Sequence, residues 1–293
     1  MIQRLAIIGV GLIGGSLARA LRAADAVGEV IGCGRSAENL ELAFDLGVID
    51  GCTRDPAVAV KDADMVFLAV PLGSMRATFE RIRDHLAPAA VITDGGSVKG
   101  SVVADAAAAF GSVPPRFVPG HPIAGTERSG VAASFPELYQ NRRVILTPLP
   151  ETDAEAVAKV RAMWEAVGAE VSDMPVAHHD EVLAATSHLP HMLAFGLVDA
   201  LSRMQDNDEI FQYAAGGFRD FTRIASSSPV MWRDICIANA ESLSTMLSRF
   251  GEEMTDLADT IRRGDGDHLL EIFSRAKQAR DQFIDGVDAG GRN

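Results

Sequence analysis

The chain has 293 residues, 47% of them apolar and only 6% aromatic, enough for two ordinary domains with mainly aliphatic cores. Lys and Arg number 27 against 40 Asp and Glu, a formal charge of −13 that no local basic patch interrupts. Such a chain is unsuited to a nucleic-acid backbone or an anionic membrane, so neither is expected as a partner.

The first half alternates short apolar runs with helical patterns, the rhythm of βαβ units. Strands are predicted over residues 4–8, 29–33, 65–70, 90–93, 116–119 and 144–147, with a last one at 170–173 finishing the sheet. Continuous apolar runs suit a parallel sheet buried on both faces. Helices are predicted over 14–24, 37–46 and 74–85. Thr152 with Glu155 has capping-box spacing and opens a further helix that Gly168 closes. The apolar opening, residues 5–21, contains Gly9, Gly11, Gly14 and Gly15 with Ser16 and Arg19, which reads as strand, turn and helix rather than a secretion signal.

From about Pro175 the strand-like runs vanish and helical periodicity continues to the end. Ser228 then Pro229 is a helix start, an N-cap followed by Pro at the first helical position. Beyond it Ile235, Leu243, Met246, Phe250, Met254, Leu257 and Ile261 recur mostly at three- to four-residue steps. Gly264-Asp265-Gly266 is a turn, Asp267 caps a last helix through Phe283, and residues 286–293 fray. The expected architecture is a Rossmann-type, doubly wound, mostly parallel α/β sheet in residues 1–174 and an all-α domain in 175–293. Long helices with broad apolar faces often pair with a second copy, so a homodimer through the helical domain is expected. Cys33, Cys52 and Cys236 show no C-x-x-C spacing and read as buried thiols of a reducing cytoplasm. No run approaches the roughly 18 apolar residues of a membrane span.

Gly9-Val10-Gly11-Leu12-Ile13-Gly14 matches G-x-G-x-x-G between a predicted strand and a predicted helix, the context that gives this pattern its force. Its glycines allow a tight turn, close approach of a pyrophosphate and close helix–strand packing, and the helix N-terminus offers unpaired N–H groups. Twenty positions after Gly14, where NAD-binding chains tend to carry Asp or Glu, stands Gly34, followed by Arg35 and Ser36. A carboxylate there would repel a ribose 2′-phosphate by roughly 1–4 kcal/mol at about 4 Å, whereas Arg35 would bind it. NADP+ is therefore expected in preference to NAD+. Val70, ending the third predicted strand, is assigned to the same cofactor site.

Two further clusters follow strand ends, where ligands of doubly wound sheets bind: Asp94-Gly95-Gly96-Ser97-Val98-Lys99 and Gly120-His121-Pro122-Ile123-Ala124-Gly125-Thr126-Glu127. The helical half carries Ser187-His188-Leu189-Pro190-His191, then Gly216 to Arg223 (GGFRDFTR), then Trp232-Arg233-Asp234. The histidines and arginines of these clusters are candidate acid–base and anion-binding groups: an imidazole is mostly neutral near pH 7 and can accept a proton, and Arg offers a planar fork to a carboxylate. His188 and His191 lack a third ligand at useful spacing, so no metal is expected. His85, His178, His179 and His268 read as solvated or helix-surface groups, and His188 is ambiguous.

The ordered motifs DGGSVK, GHPIAGTE, SHLPH, GGFRDFTRIA and PVMWRD resemble the prephenate/arogenate (cyclohexadienyl) dehydrogenase family over almost the whole chain. The resemblance implies oxidative decarboxylation of prephenate or arogenate in tyrosine biosynthesis. It implies that His121 is the catalytic histidine, accepting a hydrogen bond from the ring hydroxyl, and that Ser97 helps orient it and the nicotinamide. It implies that Arg223 binds a substrate carboxylate, that His191, Ser187 and Gly216 line the pocket, and that Thr126, Glu127, Asp220 and Trp232 form the surrounding polar network. Two other readings stay open: a β-hydroxyacid-type dehydrogenase of similar build, and a non-catalytic NADP(H)-binding regulatory dimer.

Overall fold

The computed structural model describes residues 1–126, 128–205 and 207–289. In chain order the first elements are β1 (Ile2–Ile8), α1 (Leu12–Ala23), β2 (Val27–Cys33), α2 (Ala37–Asp45), β3 (Gly51–Thr53), α3 (Pro56–Ala59), β4 (Met65–Leu68), α4 (Met75–Ile82), β5 (Val91–Asp94) and α5 (Lys99–Phe110). There follow β6 (Phe117–Val118), β7 (Gly120–Pro122), β8 (Arg143–Leu146), α6 (Ala154–Ala166) and β9 (Glu170–Asp173). The remainder is helical: α7 (Val176–Leu183), α8 (Leu189–Ser202), α9 (Asn207–Gln212), α10 (Gly216–Thr222), α11 (Pro229–Ala238), α12 (Ala240–Arg263) and α13 (Gly266–Ala289).

Six strands form a parallel sheet in the order β3-β2-β1-β4-β5-β6. The order reverses between β1 and β4, which opens the crevice where such sheets take ligands. Strand alternation sends neighbouring residues to opposite layers. Leu5, Ile7, Met65, Phe67 and Val118 join one core with Leu17 and Leu21 of α1 and Val160 and Trp164 of α6. Ala6, Ile8, Val66, Leu68 and Phe117 join the other, with Phe79 of α4 and Val102 and Ala106 of α5. Trp232 and Ile235 of α11 belong to that second core, so the helical segment is anchored on the sheet's own face. Each large side chain so buried contributes about 1.5–3 kcal/mol.

The expected single sheet is in fact two. β7, β8 and β9 form a separate three-stranded sheet, with β7 antiparallel to β8. Pro119 lies between β6 and β7 and has no N–H to donate, so the ladder breaks there. Its carbonyl instead accepts the Thr147 N–H at 2.9 Å. β3 and β7 are three residues each, too short to stand out as apolar runs. Two caps also differ from expectation. Asp153, not Thr152, caps α6 by accepting the Glu155 N–H, while the Thr152 hydroxyl accepts the Leu149 N–H. Asp265, not Asp267, accepts the His268 N–H at the start of the last helix. Ser228 and Pro229 start α11 as expected, and Gly168 follows α6 at φ +80°. The last helix is described to Ala289, past the fraying expected from Gly286, and residues 290–293 lie outside the described residues.

The chain divides into two compact units, Met1–Ala240 and Glu241–Asn293. Helices α7 to α11 thus belong with the sheet. In the second unit, Leu247, Met254 and Ile261 recur every seven residues along α12 and are all exposed, as are Leu270, Phe273 and Phe283 of α13. No helix among the described residues is long and apolar enough to cross a membrane.

The turn between β1 and α1 is the tightest point of the sheet's crevice. Gly9 has φ +104°, and a Cβ there would lie 2.3 Å from the Ala69 carbonyl oxygen; a Cβ on Gly14 would lie 2.4 Å from the Gly9 oxygen. A Cβ on Gly11 would meet nothing within 4 Å. Gly9→Ala is therefore expected to cost at least about 1–3 kcal/mol from backbone conformation alone, whereas Gly11→Ala leaves stability nearly unchanged. Thermal melts of the two variants check this, and equal melting temperatures would contradict it.

Candidate active site

The turn 9–14 opens α1 with no side-chain cap and no acidic residue in the first turn, so its N-terminal N–H groups and positive dipole end face the crevice beside β4. The open space at Gly11 and the crowding at Gly9 and Gly14 together make a cradle that a pyrophosphate fits. Val70 lies half-buried just past the end of β4. At the end of β2, Arg35 is exposed, while the Ser36 hydroxyl is occupied: it caps α2 by accepting the Asn39 N–H and donates to Glu38 Oε2. Glu38 is held below the ordinary carboxylate range by that Ser36 hydrogen bond, by the helix backbone and by the nearby Arg54. Arg54 escaped the sequence reading, because only the pairing of Cys33 with Thr53 brings the end of β3 alongside Arg35.

The chemical end is built around two buried carboxylates. Asp94, ending β5, accepts hydrogen bonds from Gly96 N (2.8 Å), Gly120 N (3.1 Å) and the fully buried Lys99 ammonium. Lys99 Nζ also donates to the Gly120 carbonyl at 2.6 Å. The DGGSVK motif thereby clamps the residue just before His121. Burial pulls Lys99 below the usual lysine range, opposed by the charge of Asp94. The second carboxylate, Asp180 of α7, accepts the Lys99 N–H and Gly100 N–H, both at 2.8 Å, and so caps α5.

His121 is buried on β7, and its Nδ1 lies 2.9 Å from His179 Nε2; His179 Nδ1 lies 2.7 Å from Asp180 Oδ1. His179 was expected to be a surface group and is fully buried, because α7 docks its first turns against α5. His188, ambiguous from sequence, is also buried, with Nδ1 3.2 Å from Asn239 Nδ2, which donates to the Asp180 carbonyl at 2.9 Å. His191 stacks on Trp232 with ring centroids 3.7 Å apart, and its Nδ1 donates to the Ser187 carbonyl at 2.8 Å. His188 meets the edge of the same indole at 6.0 Å. Pro190 cannot donate to the carbonyl four residues back, and the helix widens into a π turn over Ala184–His188.

Contacts therefore join His121, His179, Asp180, Asn239, His188, Trp232 and His191 into one network. Ser97 is half-buried ahead of α5, and its hydroxyl bonds to no described residue; the side chain within hydrogen-bond distance of His121 is His179. Gly216 and Asp220 are exposed on α10, and Arg223 begins the turn Arg223–Ser226; both elements pack against α8, which carries His191. The Thr126 hydroxyl accepts the Arg128 N–H within its own loop. Glu127 lies outside the described residues. His178 and His85 are exposed and His268 is partly exposed, in line with surface roles. Of the cysteines only Cys33 is buried; Cys52 is exposed on edge strand β3.

Burial holds His121 far below the ordinary imidazole range, reinforced by His179, Lys99 and His188. Burial likewise brings His188 down to about 4 and lowers His191, whose bond to the Ser187 carbonyl opposes the shift. For Asp180 burial pushes upward, but the His179 hydrogen bond and the two α5 N–H groups outweigh it and hold the carboxyl low. The arrangement is thus a neutral, buried imidazole at the C-terminal edge of a dinucleotide-type sheet, backed by an ionised carboxylate.

Residues 17–173 match the family described as prephenate dehydrogenase, nucleotide-binding domain, and residues 175–275 match prephenate dehydrogenase, dimerization domain. The chain is 40% identical over 283 residues to the cyclohexadienyl dehydrogenase of Zymomonas mobilis, covering 95% of each. It is 35% identical over 283 residues to the prephenate dehydrogenase of Bacillus subtilis, covering 96% of this chain and 76% of that one. Among solved structures, the Aquifex aeolicus prephenate dehydrogenase in complex with hydroxyphenyl propionate and NAD+ aligns with a TM-score of 0.90 at 39% identity, over 97% of this chain and 98% of that one. Sheet order, glycine cradle, buried histidine and these likenesses agree: the chain belongs to the prephenate dehydrogenase family of NAD(P)-dependent oxidoreductases.

Proposed function

We propose that the chain oxidatively decarboxylates a cyclohexadienyl acid, prephenate or arogenate, with hydride transfer to NAD(P)+, as a step of tyrosine biosynthesis. The observation that carries this reading is His121: buried, neutral, and tied through Nδ1 to His179 so that Nε2 is the nitrogen left for a substrate hydroxyl. When bound, the nicotinamide supplies the hydride acceptor. Gly9, Gly11, Leu12, Ile13 and Gly14 would hold the pyrophosphate against the N-terminus of α1, with Val70 and Ser97 along the crevice. His121 accepts the hydroxyl hydrogen bond as positive charge develops at the carbinol carbon. Arg223 binds a carboxylate of the acid, worth about 1.5–3 kcal/mol for a charged hydrogen bond. His191, Ser187, Gly216 and Trp232 shape the pocket, and Thr126, Glu127 and Asp220 complete its polar rim.

We assign nucleotide binding to residues 1–174 and substrate binding with homodimerisation to residues 175–293. The exposed Leu247, Met254 and Ile261, repeating every seven residues along α12, and the exposed apolar side chains of α13 support a partner copy there. A cytoplasmic setting suits a nicotinamide-dependent reaction and three free cysteines. For the cofactor we favour NADP+: Arg35 and Arg54 stand at adjacent strand ends where a 2′-phosphate would lie, and of the neighbouring carboxylates Glu38 and Asp55 the latter is paired with Arg81.

Three outcomes are expected. His121→Asn should lower kcat by roughly 10²–10⁴-fold with unchanged cofactor affinity, and near-normal turnover in steady-state assays would remove its catalytic role. Kinetics with prephenate and arogenate crossed with both cofactors should favour NADP+, and Arg35→Ala should cut that preference by about tenfold or more, the loss of one charged hydrogen bond; a wild-type preference for NAD+ would refute the assignment. Because His121, His188 and His191 are held below the ordinary imidazole range in the folded chain, the unfolded chain binds more protons once pH falls below about 6.5. The melting temperature should therefore drop progressively from about pH 6.5 toward pH 4, and a flat profile over that window would contradict the burial of neutral imidazoles.

A further inference from the structure

We infer that His179 and Asp180 are positioning residues that lock His121 in one tautomer and share the charge it gathers during the reaction. The inference rests on the cyclohexadienyl-acid reading above for its chemistry, but its geometry is independent of any substrate. Asp180 takes two backbone N–H groups at the start of α5, one on each carboxylate oxygen, so both oxygens act as acceptors. His179 Nδ1, at 2.7 Å from Oδ1, must then be the donor. With a single hydrogen on the His179 ring, its lone pair lies on Nε2, and His121 Nδ1 then carries the hydrogen that bridges their 2.9 Å contact. The lone pair of His121 is thereby confined to Nε2, which bonds to no described residue.

The charged and titratable groups around His121 pull in opposite directions. Lys99, paired with Asp94, and His188 oppose a positive charge on it, while Asp180 lies at the end of the His179 bridge and offsets one. As the carbinol C–H bond gives up its hydride to the acceptor named above, the hydroxyl proton shifts toward His121 Nε2, and the Nδ1–H bond to His179 strengthens. When the bond to the ring carboxylate breaks and CO2 leaves, its electron pair aromatises the ring, and the proton returns to the phenol oxygen. No net proton is consumed, so the bridge needs no exit to solvent. Its work is to hold the base aligned and to spread a transient charge.

The test pairs nitrogen NMR of histidine-labelled protein with kinetics of His179→Gln and His179→Leu. A Gln can place its Oε1 where Nε2 stood and still accept the Nδ1–H; a Leu cannot. Wild type and His179→Gln should show His121 as the Nδ1–H tautomer, and His179→Leu a mixture. Turnover should fall about 10²-fold in His179→Leu and within about tenfold in His179→Gln, with KM for the acid and cofactor affinity unchanged in both. Preserved cofactor affinity shows that the sheet is folded, and a preserved KM for the acid shows that the helical side of the site is in place. An Nε2–H tautomer for wild-type His121 overturns the inference even if neither variant folds. So does equal turnover in the two variants, or a change confined to KM. A wild type that shows the Nδ1–H tautomer yet oxidises neither acid would overturn the substrate reading while upholding the lock.

Discussion

The Asp180 carboxylate is the point on which the site depends. It sits at the N-terminus of α5, where two backbone N–H groups and the helix dipole favour a negative charge, and it is delivered there by α7. An uncompensated buried carboxylate would be expensive, so the charge requires its partners. One of them is His179, and through His179 the requirement reaches His121. Helix capping, usually a matter of local stability, here fixes the direction of an imidazole on a different sheet.

The Asp94–Lys99 pair plays the complementary part from the sheet side. A fully buried ion pair is weak evidence for stability, since desolvation offsets much of the attraction. Its value lies in what it touches. Between them the two side chains hold the N–H and the carbonyl of Gly120, leaving His121 little freedom of backbone orientation. Sheet and helices thus grip the same residue from two directions, and α11 fastens the helical segment by burying Trp232 and Ile235 in the sheet's second core.

Local features were readable from residues alone. The glycine turn, the parallel βαβ rhythm, the Ser228–Pro229 start and the place of His121 after a strand each depend on a few neighbouring positions. His179 was not readable, because His178 and His179 are adjacent on one helix and only the docking of α7 decides which is buried. The same holds for Arg54, whose nearness to Arg35 comes from strand pairing across β2 and β3. The second sheet escaped because its first strand is three residues hidden inside a motif that reads as catalytic. Ser97 was legible as a residue following β5, whereas the imidazole that meets His121 comes from another element and was not.

The docking of α7 against α5 has one more implication. Segments of a protein open at different free energies; α7 is an eight-residue helix with one docked face, and such a segment opens before a parallel sheet does. The glycine cradle belongs to the sheet, whereas alignment of the imidazole belongs to α7. A molecule in which that helix has lifted would still retain nucleotide but would hold an undirected base. Occupancy of the cradle and readiness for chemistry are therefore separate properties of this chain, and warming would erode the second while the first persists.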